Sequence, residues 1–304
     1  MPRSRSALPA LVSLAVLAPA ASPAQDAAVL LTRVTNAYPA YSPDGTSIAY
    51  MSNADSDFDI YVVVPDSGVR RRLTDAPGLD GQPVWSPDGA RIAFRSMRDG
   101  HSQIYVMEAD GSNPTNLSRG PFPDEHPVWT ADGSRIVFAS ERPRPAGGEP
   151  SFDLFSMAAD GSDVRRITDT AEVETYPALS PSDDRIACRR ILASGDWEVV
   201  ILDADGNDVL NLTAHVGVDG WPAWSPDGRR LVFASERSGS SDLWVVEADG
   251  SGLRQLTRDP DGDERQPWWS PDGRRIAYAR YVWFPDEPFY EASEILEIDL
   301  GEAP

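Results

Sequence analysis

The sequence of 304 residues contains no lysine, one cysteine and three histidines. The single cysteine, Cys188, excludes an internal disulfide, and its apolar neighbours favour a buried thiol over a catalytic one. His101, His126 and His215 fall in separate parts of the chain, which argues against a three-histidine metal site. A domain of this length must therefore be stabilised by its apolar core rather than by cross-links.

Long hydrophobic runs and positive charge are also scarce. The one apolar run, residues 7–17, follows Arg3 and Arg5 and precedes Ser22-Pro23-Ala24, which predicts a secretory signal over residues 1–24. The run is too short to cross a membrane, so we expect no membrane insertion and a periplasmic or secreted location. The formal net charge of −21 argues against nucleic acid as a partner and favours neutral, cationic or protein partners.

What the sequence does contain is one motif written six times. Copies of "WSPDG" or its variants are separated by 44 to 50 residues and begin at Tyr41, Trp85, Trp129, Leu179, Trp224 and Trp269. Each repeat reads as four short strands with an Asp-Gly turn after the first strand and another after the third. This period and strand count predict an all-β, six-bladed propeller with four antiparallel strands per blade.

The two ends of the chain have complementary strand counts. The sixth repeat ends without a fourth strand, and Val29–Thr35 resembles the fourth strand of the other repeats. We therefore predict that Val29–Thr35 pairs beside Glu294–Leu300 and closes a single domain over residues 25–304. The predicted blades span approximately residues 38–74, 82–118, 126–168, 176–213, 221–257, and 266–300 with 29–35.

The repeat resembles a known family. "P-x-W-S-P-D-G-x-x-I-A-F" followed by "I-Y-V-M-x-A-D-G-S-x-x-x-x-L-T" is similar to the WD40-like, or PD40, repeat of the propeller in TolB-type periplasmic proteins. TolB-type proteins carry an α/β domain before the propeller. Here only a short segment separates the predicted cleavage site from the first repeat, so we expect a stand-alone propeller. The resemblance implies a binding platform for outer-membrane or peptidoglycan-associated proteins.

The connections between strands alternate between two faces of the disc. Both Asp-Gly turns lie on one face, the turn face, while the other two connections of each blade form the variable face, where we expect binding. One variable connection, Tyr281–Ala292, is rich in aromatic residues, namely Tyr281, Trp283, Phe284, Phe289 and Tyr290. This segment is either a contact for a protein or sugar, or a cap folded over the propeller.

Acidic residues recur where the chain enters each inner strand. They are Asp80, Asp124 with Glu125, Glu174, Asp219, and Asp263 with Glu264. If they converge at the channel mouth, their mutual repulsion would recruit a basic peptide or a calcium ion, held by Asp80, Asp124, Glu174, Asp219 and Asp263. Alternatively, each acid accepts backbone N–H groups and holds its own loop.

Two further sets follow from the repeat. We expect the residues before the inner-strand prolines to line the channel, where they either recognise a ligand or plug the channel. They are Tyr38, Gln82, His126, Tyr176, Trp221 and Gln266. The aromatic residues that open the turn motif, expected to wedge between blades, are Tyr41, Trp85, Trp129, Trp224 and Trp269.

These features favour a monomeric protein-interaction platform at the cell envelope that binds an envelope protein or peptide. The rival is a carboxylate-dependent carbohydrate-active enzyme, a glycosidase or lyase, acting at the channel mouth through acids such as Asp124, Glu174, Asp219 and Glu264. The sequence has no G-x-S-x-G nucleophile motif of the peptidases that carry propellers. We assign no catalytic residue.

Overall fold

The computed structural model describes residues 11–12 and 34–301, apart from 146, 148–149 and 284–290. These residues form six antiparallel sheets of four strands each, arranged as six blades, which confirms the predicted propeller. Within the same ranges, no helix is long and apolar enough to cross a membrane. The predicted signal segment lies almost wholly outside the described residues.

The strands follow the chain from the inner to the outer edge of each blade. They are β1 Leu11–Val12; blade 1, β2 Asn36–Tyr41, β3 Ile48–Ser52, β4 Asp59–Val64 and β5 Val69–Arg72; blade 2, β6 Asp80–Trp85, β7 Arg91–Ser96, β8 Gln103–Glu108 and β9 Thr115–Asn116; blade 3, β10 Asp124–Trp129, β11 Arg135–Ser140, β12 Asp153–Ala158 and β13 Arg165–Arg166; blade 4, β14 Val173–Leu179, β15 Ile186–Ile191, β16 Trp197–Leu202 and β17 Asp208–Asn211; blade 5, β18 Asp219–Trp224, β19 Arg230–Ser235, β20 Asp242–Glu247 and β21 Arg254–Gln255; and blade 6, β22 Asp263–Trp269, β23 Arg275–Trp283 and β24 Glu291–Asp299.

The apolar core is divided among the junctions between neighbouring blades. Each of six buried clusters joins side chains of two consecutive blades, and one of them joins blade 6 to blade 1. At that last junction, Asn36 donates from its backbone N–H to Ser293 Oγ at 2.9 Å and from Nδ2 to the Ser293 carbonyl at 2.9 Å. The ring is therefore closed by packing and by hydrogen bonds between the first and last blades.

The outer strand of blade 6 comes from the N-terminal part of the chain, but it is not the expected Val29–Thr35. The strand in that position is β1, with Leu11 opposite Ile298 and Val12 opposite Glu297. Residues 29–33 of the expected strand lie outside the described residues, and Val34 accepts a hydrogen bond from Ser293 N–H at 3.2 Å. Cleavage after residue 24 would remove β1 and open the edge of β24, so pairing of Val29–Thr35 there stays a prediction.

The repeated Ser-Pro-Asp-Gly turns interlock around the turn face. Gly89 has φ of +70°, a conformation that favours glycine. A Cβ added there would lie 3.8 Å from the ring of Pro43 in the preceding blade. Inside the turn, the Ser86 hydroxyl donates to Asp88 at 2.5 Å. Turn formation and packing between blades are therefore enough to explain why the Ser-Pro-Asp-Gly motif is repeated.

The aromatic residue before each turn packs against the preceding blade. Trp224 Nε1 donates to the Ala178 carbonyl at 3.1 Å, and Trp269 Nε1 donates to the Ala223 carbonyl at 3.2 Å. Over four of these five rings, all except that of Trp85, lies an arginine from the preceding blade, as Arg230 covers Trp269 at 5.3 Å. These contacts agree with the expected wedge role and add a cation–π interaction that the sequence analysis missed.

Candidate functional site

Each inner strand is interrupted by a bulge at the residue before its proline. The six residues at this position have φ between 53° and 58°, and the strand register shifts there in every blade. They are Tyr38, Gln82, His126, Tyr176, Trp221 and Gln266. A left-handed conformation costs a non-glycine residue about 1 kcal/mol or more, so packing must hold all six in place. All six line a cavity on the propeller axis, as expected from the sequence.

These side chains cross and nearly fill the channel. Tyr38 and Tyr176, from opposite blades, stack with ring centres 6.4 Å apart, and their hydroxyl groups lie 3.1 Å from each other. The ring of His126 lies 3.7 Å from that of Tyr176. The remaining cavity is about 90 Å³, space for only about three water molecules. The channel is therefore plugged by its own side chains.

Two glutamines support the bulges of the next blade. Gln82 Oε1 accepts the backbone N–H of His126 at 2.9 Å, and Gln266 Oε1 accepts the backbone N–H of Tyr38 at 3.0 Å. Burial, followed by the charges of Arg189 and Arg95, holds the pKa of His126 well below its usual value. The imidazole is therefore neutral at neutral pH, and the glutamines have a structural task besides any ligand contact.

The recurring acids are not gathered at the axis. Asp80, Asp124, Glu174, Asp219 and Glu264 are at most 3% exposed, and none lines the central cavity. Four of them form ion pairs with an arginine of their own blade: Asp80–Arg98 at 2.7 Å, Asp124–Arg142 at 3.2 Å, Glu174–Arg190 at 2.6 Å and Asp219–Arg237 at 3.0 Å. The expected convergence is therefore not observed for these residues, and four of the five charges are compensated where they are buried.

The fifth buried acid, Glu264, lacks such an arginine. Its register partner Arg280 instead binds Asp259 and Glu294. Among the described residues, Glu264 Oε2 accepts no hydrogen bond of good geometry, although the hydroxyl groups of Thr257 and Tyr278 lie close to this carboxyl, and burial raises its pKa to about 7. Glu264 is therefore an acid that changes charge near neutral pH.

The more exposed acids, Glu125 and Asp263, are also paired. Arg95 Nη2 lies 3.3 Å from Glu125 Oε1, and Arg265 Nη2 lies 2.9 Å from Asp263 Oδ2. In the part of the chain that the structure describes, no group of three or more histidine, cysteine, aspartate or glutamate side chains could hold a metal ion. The calcium prediction therefore gains no support from these residues.

An arginine-aromatic cluster near the variable face was missed by the sequence analysis. We call Arg189, Tyr176, Trp197 and Trp221 the Arg189 cluster. The Arg189 guanidinium carbon lies 4.5 Å from the ring centre of Tyr176, 4.4 Å from that of Trp197 and 5.6 Å from that of Trp221. These residues come from β14, β15, β16 and β18, so no local sequence pattern connects them.

The aromatic segment of blade 6 differs from the expected loop. Tyr281 and Trp283 belong to β23, and β24 already begins at Glu291, so the hairpin connection is shorter than 281–292. Tyr281 is 5% exposed and donates its hydroxyl to Gln266 at 3.1 Å, which makes it a core residue rather than a surface contact. Phe284, Phe289 and Tyr290 lie outside the described residues.

Two cavities open on the turn face, where we expected no binding. One, of about 260 Å³, lies on the axis and is lined by tryptophans and prolines of five blades, including Trp85, Trp129 and Trp224. The other, of about 740 Å³, runs between blades 3 and 4. Leu179 stands there where other blades carry an aromatic wedge, so a shorter side chain leaves the junction open.

Comparison with known families places the repeat. The profile of the TolB beta propeller domain family, PD40, matches residues 24–215 and 176–282, which together span most of the chain. The chain belongs to the TolB β-propeller family. A curated relative, the Tol-Pal system protein TolB of Methylococcus capsulatus, is 51% identical over 43 residues, a match to 14% of this chain and 10% of the relative. The sequence match therefore spans one repeat of that protein.

Solved structures share the propeller fold of this chain. TolB from Acinetobacter baumannii is 25% identical with a TM-score of 0.65, over 78% of this TolB-family chain and 57% of the other. A putative TolB from Agrobacterium tumefaciens is 20% identical with a TM-score of 0.67, over 86% and 90% of the two chains. An oligogalacturonate lyase in complex with manganese, 15% identical with a TM-score of 0.60 over 88% and 91%, shares the fold alone.

Proposed function

We propose that this TolB-family propeller is a protein-interaction platform of the cell envelope that binds its partner around the channel mouth on the variable face. One observation carries the proposal: the axis is plugged, leaving about 90 Å³, while the Arg189 cluster lies beside the plug on that side. The plug leaves little volume for a small substrate at the channel mouth on the variable face, whereas aromatic and arginine side chains are common anchors of protein interfaces.

The cellular setting rests on relatives and on the sequence. The name of the Methylococcus relative refers to the Tol-Pal system, and the family profile matches from residue 24, close to the predicted cleavage site. We therefore place the processed chain in the periplasm, as a monomer. Its net charge of −21 favours a partner whose surface is basic overall.

A carbohydrate-active enzyme is the second candidate, and Glu264 is the observation that favours it. Its pKa of about 7 suits a general acid, and an oligogalacturonate lyase shares the fold. However, Asp124, Glu174 and Asp219 are each engaged by an arginine, which leaves no evident second carboxylate from that set. Turnover of an envelope or pectic glycan that disappears in Glu264→Gln would establish this alternative.

The platform proposal is tested by capture from envelope extract with three forms of the purified chain. One form is unchanged, one has residues 284–290 replaced by glycine and serine, and one has the exposed turn-face residues 112–114 replaced in the same way. We expect the 284–290 variant to lose captured protein and the 112–114 variant to retain it. Loss in the turn-face variant alone would move the partner to the opposite face.

A further inference from the structure

Arg189 is more deeply buried than Arg95 and Arg265, the other two arginines that flank the plugged channel. It is 9% exposed and lies near the end of β15 that reaches the variable face. The rings of Tyr176, Trp197 and Trp221 surround its guanidinium group at 4.4 to 5.6 Å. These rings hold a planar cation in one orientation, which reduces the entropy lost when the cation binds a ligand.

Arg189 has an incomplete set of hydrogen-bond partners. Its Nε–H donates to Thr175 Oγ1 at 3.0 Å, which uses one edge of the guanidinium. Throughout the described residues, no hydrogen bond or ion pair engages its two terminal nitrogens. Both nitrogens retain contact with solvent, since neither belongs to the sealed, unpartnered polar atoms. A pair of adjacent N–H groups is therefore available from outside.

The other arginines at the mouth are already neutralised. Arg95 occupies the equivalent position in blade 2, opposite Gly81 as Arg189 is opposite Thr175, and lies 3.3 Å from Glu125. Arg265 lies 2.9 Å from Asp263. Arg189 therefore differs from its structural counterpart in forming no ion pair within the described residues, although the charge of Glu125 also acts on it.

The surroundings also present unused donors. Trp221 Nε1 and Arg265 Nε are both buried and have no hydrogen-bond partner, and the Arg265 guanidinium carbon lies 5.6 Å from the Trp221 ring. The guanidinium groups of Arg189 and Arg265 thus both lie against the indole ring of Trp221, whose N–H donates no hydrogen bond to a described residue. Both donors are sealed from solvent, so direct contact with a ligand falls to the terminal nitrogens of Arg189.

We propose that Arg189, Trp197 and Trp221 form a recognition site for a carboxylate of the bound protein partner, through the two terminal nitrogens of Arg189. The proposal rests on the protein-binding function proposed above and specifies the chemistry of its contact. A carboxylate matches the planar pair of guanidinium donors and accepts two parallel hydrogen bonds. The partner thus presents one carboxylate to Arg189 beside the propeller axis. The rest of its contact surface is basic, as the negative net charge of the propeller favours.

The test uses small carboxylates as probes and the indole N–H signals of the protein as reporters. The chain has nine tryptophans, and Trp197→Phe and Trp221→Phe identify two of their signals in a two-dimensional ¹⁵N–¹H spectrum. The full chain is titrated at low salt with N-acetyl-aspartate α-amide, a side-chain carboxylate, and with N-acetyl-alanine, a chain-end carboxylate. The neutral control is N-acetyl-alanine amide, and inorganic phosphate is run as a competing anion.

We expect saturable shifts of the Trp197 and Trp221 signals with one or both carboxylates and none with the neutral amide. Arg189→Met should weaken this binding by about tenfold or more, because charged hydrogen bonds are lost. The matched double variant Arg95→Met with Glu125→Gln, which removes both members of the neighbouring ion pair, should retain it. Unchanged signals of the other tryptophans show that Arg189→Met is folded. Equal shifts with the neutral amide, stronger binding of phosphate than of either carboxylate, or full binding by Arg189→Met would overturn the proposal.

This result is separable from the platform proposal. If protein capture depends on residues 284–290 but neither carboxylate shifts the two indole signals, the carboxylate site is wrong and the platform stands. If the probes bind but no protein is captured, the site exists without the proposed partner.

Discussion

Glu264 gives the sharpest test of the buried electrostatics. It is 3% exposed, has no arginine partner, and its pKa is raised from an ordinary 4.5 to about 7, first by burial and then by nearby acids such as Asp242. Because the folded pKa lies above the unfolded one, the folded chain binds the proton more tightly. The free energy of unfolding should therefore fall as pH rises from about 4.5 to about 7.

The magnitude follows from the size of this shift. Each pKa unit corresponds to about 1.4 kcal/mol, so the ionised carboxylate should cost the fold about 3 kcal/mol above pH 7. Glu264→Gln keeps the shape and removes the ionisation. We expect the variant to be more stable than the unchanged chain by about 2 to 3 kcal/mol at pH 8, with a much smaller difference at pH 4.5.

Urea unfolding followed by tryptophan fluorescence at pH 4.5, 6 and 8 measures these differences. Glu236→Gln, which removes an acid of the same type from an exposed position in blade 5, controls for the change in net charge. The reasoning fails if the stability gain of Glu264→Gln does not vary with pH, or if Glu236→Gln produces the same profile.

Three further substitutions, each measured by urea unfolding, test interactions that recur in several blades. Arg237→Met should lower the free energy of unfolding by about 3 to 5 kcal/mol, since Asp219 stays buried without its counter-charge, and adding Asp219→Asn should recover part of the loss. Arg230→Met should lower the free energy of unfolding by about 1 kcal/mol, because the cation–π contact with Trp269 is lost; an unchanged stability would show that this contact does not stabilise the fold. Gly161→Ala should destabilise the chain by more than 1 kcal/mol, because φ is +84° and the added Cβ would lie 2.6 Å from the Leu117 carbonyl; an unchanged stability would contradict the close packing.

The fold could be predicted from the sequence, because the number of strands and the positions of the turns recur in every repeat. The placement of the pre-proline residues on the axis also followed, although their left-handed conformation did not. The burial of the acids was harder to predict, since three of the ion pairs depend on an arginine two residues beyond the end of the next strand, as Arg98 follows β7. Asp80–Arg98 and Asp219–Arg237 share a separation of 18 residues, a regularity that could have indicated pairing.

The Arg189 cluster could not be predicted in the same way. Arg189, Trp197 and Trp221 lie on strands of two blades, and none occupies a position where the same residue type recurs in all six blades. Arg95 occupies the same position in its blade but is paired with Glu125. Whether an arginine stays unpaired depends on neighbours brought together only by the closed propeller.

The central claim, that a protein partner binds the variable face, is tested most directly by photo-crosslinking in cells. A photoreactive amino acid is placed at Ser194 on the variable face or at Ala204 on the turn face, two exposed positions of the same blade. We predict a defined protein adduct from Ser194 and none from Ala204. An adduct from Ala204 alone, or equal adducts from both positions, would contradict the claim.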